Sequence, residues 1–117
     1  MSVQELTKAI VASLDKHKAR DICVLDVSEV TSLADRFIIA SGGSTTQVKA
    51  LIDYVETDLA LQNVHALRTE GYNTAQWILL DLGSVVVHVF LDTAREFYDL
   101  ERLWQDARVL EIGRAHV

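Results

Sequence analysis

Apolar residues recur at intervals of three and four from Val3 through Leu6, Ala9, Ile10 and Leu14, a spacing that predicts an amphipathic helix running to about Lys18. Ser2 followed by Glu5 fits a capping box at its start, and Lys8, Asp15 and Lys16 fall on the opposite face. The short β-branched run Ile22–Val27 predicts a strand, and Phe37–Ser41 predicts another, with a polar turn region between them. Gly42, Gly43 and Ser44 end the second strand and open the longest helix. There Ser44 and Gln47 form a second capping box, and Val48, Leu51, Ile52, Val55 and Leu59 form the buried stripe before a stop near Asn63. Val64–Arg68 is a weaker strand pattern, and Glu70 to Thr74 carries turn chemistry.

Ala75–Leu82 and Ser84–Leu91 are the most regular strand patterns, joined so tightly around Gly83 that they predict an antiparallel hairpin. Period two places Trp77, Leu79 and Asp81 on one face, with Ile78 and Leu80 on the other. A two-residue turn at Leu82 and Gly83 sets Trp77 opposite His88 and Leu79 opposite Val86, and a bulged turn would shift that register. With apolar residues on both faces, either helices cover the two sides or one side is left as a binding surface. Asp92 or Thr93 caps a final helical region that turns Phe97, Leu100, Leu103 and Trp104 inward and Tyr98, Glu101 and Arg102 elsewhere, with Asp99 as the start of a second short helix. The order of elements defines an α/β fold: a single domain with a mixed sheet of about five strands flanked by helices.

Composition narrows this picture. The 117 residues suit one domain and are half apolar, which excludes disorder. No run approaches a membrane span, and polar Ser2, Gln4, Glu5 and Lys8 interrupt the start, so a soluble, cytoplasmic protein without membrane contact is expected. Cys23, the one cysteine, lies between Ile22 and Val24 and reads as a buried structural thiol. The last six residues, Ile112–Val117, match one translated frame of a common sequencing adapter; the domain is therefore placed at residues 1–111, with 112–117 as a non-native tail.

Seventeen acidic against eleven basic side chains give a net charge of −6, which opposes direct nucleic-acid binding and favours a basic partner. Gly42-Gly43-Ser44 before a helix could present N–H groups to a phosphate, but neither P-loop nor dinucleotide spacing follows, and a tight strand-to-helix turn accounts for the glycines. Metal-dependent nucleotidyl transfer needs grouped carboxylates, whereas Asp26, Asp81 and Asp92 each stand alone near a strand end. His88 has no ligand spacing with His17, His65 or His116, so a hydrogen-bonded histidine on a sheet face is expected, with membership of a binding face as the alternative. No metal, no cofactor and no enzymatic activity are expected.

Several stretches carry a resemblance: Ala34-Asp35-Arg36-Phe37-Ile38-Ile39-Ala40-Ser41-Gly42, Gln47-Val48, Glu70-Gly71, Trp77-Ile78-Leu79-Leu80-Asp81, Val86-Val87-His88-Val89-Phe90, Arg95 to Glu101, and Leu103-Trp104. In this order and over most of Ala34–Trp104 the chain resembles the Iojap family of ribosomal silencing factors, with Arg36 standing where that family commonly has an acidic or neutral residue. The resemblance implies a nucleotidyltransferase-like domain without the catalytic acids. It implies binding to the large ribosomal subunit through ribosomal protein fourteen, steric block of small-subunit joining, and repressed translation when nutrients are scarce. The family's docking surface maps onto Trp77, Leu79, Asp81, His88, Tyr98 and Glu101. The alternatives are a degenerate nucleotidyltransferase that uses Ser44 and Asp81 with magnesium and a nucleotide, and a homodimer formed through the same face off the ribosome.

Overall fold

The computed structural model describes residues 1–99 and 107–110. Helix α1 spans Val3–Lys16, and its capping box is complete: the Ser2 hydroxyl accepts from the Glu5 N–H while the Glu5 carboxylate accepts from the Ser2 N–H. Strands β1 (Arg20–Asp26) and β2 (Arg36–Gly42) pair antiparallel. Helix α2 (Thr45–Ala60) is capped by Ser44, whose hydroxyl accepts from Gln47. The reciprocal half of the expected box is displaced by one residue, because the Gln47 side chain accepts from the Gly43 N–H at 2.7 Å. The helix stops at Ala60, short of Asn63; Leu61 to Asn63 form a turn, and Asn63 takes a left-handed φ of 60°.

The third strand, β3, is Arg68–Glu70 rather than Val64–Arg68. Val64 and Ala66 instead fold against the core under α2, so their apolar character serves packing without regular pairing. Strands β4 (Trp77–Asp81) and β5 (Val85–Leu91) form the hairpin, with Trp77 opposite Phe90, Leu79 opposite His88 and Asp81 opposite Val86. The expected register is therefore corrected by two residues. The turn residues are Gly83 and Ser84, with the Leu82 N–H donating to the Val85 carbonyl and Gly83 at φ +88°, the conformation that a tight hairpin turn assigns to glycine. A shift of two leaves every side chain on its predicted face.

Helix α3 (Asp92–Tyr98) begins where β5 ends: Leu91 is its N-cap, without a side-chain bond, in place of Asp92 or Thr93. Asp92 is drawn away to Arg20, at 2.7 Å. Asp99 is the left-handed C-cap of α3, at φ 45°. The expected inward placement of Leu100, Leu103 and Trp104, the restart after Asp99 and the tail from Ile112 lie outside the described residues, as does the Phe97 side chain. A sixth strand, β6 (Arg108–Leu110), pairs with β1, a stretch to which the periodicity assigned no element.

The sheet order is β3-β4-β5-β2-β1-β6, antiparallel except where β2 and β5 run parallel at its centre. Both faces are covered, but unequally. Helices α1 and α2 lie on one face and enclose the larger core around Ile10, Leu14, Leu51, Ile52, Ile78 and Val87. The other face gathers Leu25, Val27, Phe37, Ile39, Val86 and Phe90 under Ala94 of α3. Cys23 sits at the margin of this second cluster and is half-buried rather than buried. Arg36 donates to Gln4 and Thr7 of α1, a local tie between β2 and α1. No helix among the described residues is long and apolar enough to cross a membrane.

Candidate functional site

Alternation along β4 and β5 sends Trp77, Leu79, Asp81, Val86, His88 and Phe90 to the face that carries α3. Because α3 follows Leu91 without a loop, it folds directly back over this face and sets Tyr98 against it. The rings form one cluster. Trp77 stacks on Phe90 with centroids 4.9 Å apart, and the Tyr98 ring lies 4.9 Å from Trp77. Phe37, on the adjoining strand β2, meets His88 edge-on at 4.7 Å.

Exposure grades across the cluster. Phe90 is buried, Trp77 and Leu79 are half-buried, and Tyr98 is 43% exposed. His88 is only 3% exposed, so it lies beneath the surface residues rather than among them. Its Nδ1 accepts from the Trp77 indole Nε1–H at 3.0 Å. An indole N–H can only donate, so Nδ1 carries the lone pair and Nε2 carries the proton of the neutral ring. Burial lowers the His88 pKa to about 4, which keeps it neutral at physiological pH. Nε2 is buried with no hydrogen-bond partner among the described residues.

Asp81 closes the lower edge of the face. One carboxylate oxygen accepts from the Gly83 N–H at 2.8 Å, and the other accepts from Arg68 Nε at 3.2 Å. Arg68 also reaches Glu70 at 2.7 Å, so the acidic corner is partly neutralised from the neighbouring strand. Glu101 lies outside the described residues. Of the expected surface residues, Trp77, Leu79 and Tyr98 are thus brought together with partial exposure, Asp81 borders them, and His88 supports them from below. Phe90 and Arg68 are parts of the arrangement that site reasoning passed over. Phe90 was accessible from period two counted from His88, whereas Arg68 depends on a strand three residues long.

The residues considered for nucleotide do not converge. Asp81 ends β4 beside the start of β5, while Ser44 follows the end of β2; since β2 and β5 run parallel, the two lie at opposite ends of the sheet. The Gly43 N–H is already taken by Gln47. An open cleft of about 410 Å³ at the ends of β2 and β5 includes Arg20 and Arg95, but Arg20 pairs with Asp92 and Arg95 donates to the Asp21 carbonyl and the Ser41 hydroxyl. Among the described residues no group of three or more His, Cys, Asp or Glu side chains could hold a metal.

Fold and face together define a single α/β domain, built on a mixed six-stranded sheet, with a half-exposed aromatic patch on one side. The profile of the family described as "Ribosomal silencing factor during starvation" matches residues 1–116, and the chain belongs to that family. It is 43% identical over 104 residues to the ribosomal silencing factor of Chromobacterium violaceum, covering 89% of this chain and 85% of that protein. A crystal structure of a protein from the same bacterium superposes with a TM-score of 0.87 at 40% identity, covering 97% of this chain and 93% of the other. The mouse protein named "Mitochondrial assembly of ribosomal large subunit protein 1" is 36% identical over 98 residues, covering 81% of this chain and 43% of the mouse protein.

Proposed function

We propose that this protein docks on the large ribosomal subunit through ribosomal protein fourteen and, by bulk alone, keeps the small subunit from joining, so that translation falls when nutrients are scarce. It acts in the cytoplasm, without catalysis or cofactor. The observation that carries the reading is the half-exposed patch of Trp77, Leu79 and Tyr98 in a member of the silencing-factor family. Tryptophan and tyrosine concentrate binding energy where they can be desolvated against a partner. The acidic border and the net charge of −6 suit a basic ribosomal protein better than the phosphate backbone of ribosomal RNA. The mouse relative's name refers to the large subunit, in keeping with the same partner here.

Trp77→Glu is expected to abolish co-sedimentation with large subunits. Because the indole also stacks on Phe90, the variant's fold is checked by circular dichroism. Tyr98→Ala removes a more exposed ring that also contacts Trp77, so its fold is checked in the same way, and it should weaken the interaction. Undiminished co-sedimentation of both variants would refute the docking face.

A further inference from the structure

We propose that His88 is the positioning residue of the docking face: through Nδ1 it fixes the indole of Trp77 in the orientation that meets the partner, without itself touching that partner. This deepens, and rests on, the docking reading above.

Three observations support it. First, the bond is directional and has one consistent protonation state. The indole supplies the only proton in the Trp77–His88 contact, so the imidazole must offer Nδ1 as an acceptor and leave the proton on Nε2. Second, that arrangement places the Nε2–H in a buried position with no partner among the described residues, a desolvation cost that a hydrophobic residue of similar shape would avoid. A ring retained only to fill the core would gain nothing from this. Third, the ring is held from its other side: Phe37 meets it edge-on at 4.7 Å, and Leu79 and Ile39 flank it on the adjoining strands. The acceptor therefore cannot easily follow the indole if the indole turns.

Stacking on Phe90 alone does not give the indole a unique setting, since a ring on a ring can slide and rotate in its plane. The hydrogen bond removes that freedom. A partner then meets an indole already ordered, which lowers the entropy lost on docking. His88 is too deeply placed to supply contact area itself, at 3% exposed.

The test compares His88→Phe, which keeps a ring but lacks an acceptor, with His88→Asn, whose side-chain oxygen can stand where Nδ1 stands. Large-subunit affinity by co-sedimentation is read beside the Trp77 indole N–H signal in nitrogen-15 NMR, where a bond to Nδ1 produces a measurable coupling between the two nitrogens. We expect the coupling in the unaltered protein, affinity weakened about fivefold in His88→Phe, as suits the loss of one hydrogen bond, and affinity largely kept in His88→Asn. Full affinity in a folded His88→Phe overturns the proposal, as does absence of the coupling. If His88→Phe fails to fold, the coupling and His88→Asn decide: loss of affinity in folded His88→Asn overturns it, and retention supports it. Failure of the unaltered protein to sediment with large subunits would instead refute the docking reading beneath it.

Discussion

Gly71 is packed against the backbone of Trp77: a Cβ at position 71 would overlap the Trp77 carbonyl oxygen, and Gly71 holds φ at +80°. The loop that precedes β4 can lie this close only because no side chain intervenes. Gly71→Ala therefore combines a conformational cost with a steric one and should lower stability by about 3 kcal/mol. Gly83→Ala is the internal comparison. Gly83 also has positive φ, but its nearest neighbour would be Leu67 Cδ1 at 3.7 Å, so about 1–2 kcal/mol is expected. Urea denaturation of the two variants gives the difference directly.

Asp81 binds the hairpin turn as well as bordering the aromatic face. Asp81→Ala removes the acceptor for the Gly83 N–H and should cost about 1–2 kcal/mol. Asp81→Asn keeps an oxygen there and loses mainly the pairing with Arg68, whose side chain is 60% exposed, so about 0.5 kcal/mol or less is expected. Thermal unfolding separates them. Equal losses would show that the ion pair, rather than the turn bond, matters.

Acid should destabilise the fold through His88. Its ordinary pKa of 6.5 falls to about 4 when buried. Between those values the unfolded chain binds the proton that the native ring refuses. Stability is thus fully present above pH 6.5 and is lost as pH falls toward 4, by roughly 3 kcal/mol in total. His88→Asn removes this component. Its stability should drop less than the parent's between pH 7 and pH 4.5 in matched urea titrations; parallel curves would contradict the assignment.

Between the two helices of the larger core, Ser13 on α1 donates its hydroxyl to the Asp58 carboxylate on α2 at 2.7 Å. Ser13 is buried, while Asp58 keeps partial access to water and has His17 Nε2 4.0 Å away. Ser13→Ala should cost about 1 kcal/mol, measured as a lower urea midpoint with an unchanged slope.

Much of this architecture was legible because it rests on local periodicity. The capping box at Ser2, the stripe of α2 and the two-faced pattern of Trp77–Asp81 all follow from spacings of three, four and two. Where pattern and pairing diverge, periodicity does not determine the structure. The hairpin register depended on which two residues around Gly83 make the turn, and an alternating sequence is equally satisfied by either choice. β3 and β6 are three residues long, too short for periodicity to register, and exist because neighbouring strands offer them partners. The site followed the same division. The face that carries Trp77, Leu79 and Tyr98 was visible, but the depth of His88 was not, because alternation gives the side of a sheet and not the distance beneath its surface.

The position of β5 between β4 and β2 has a consequence for how the chain folds as it is made. The β1–β2 pair and the β3–β4 pair share no seam until β5 is inserted between them. Until synthesis has passed Leu91, the inner edges of β2 and β4 have no ladder partner within the sheet. A chain interrupted before Val85 should therefore fail to fold and expose two unpaired strand edges, whereas one that extends through α3 can close the central parallel seam.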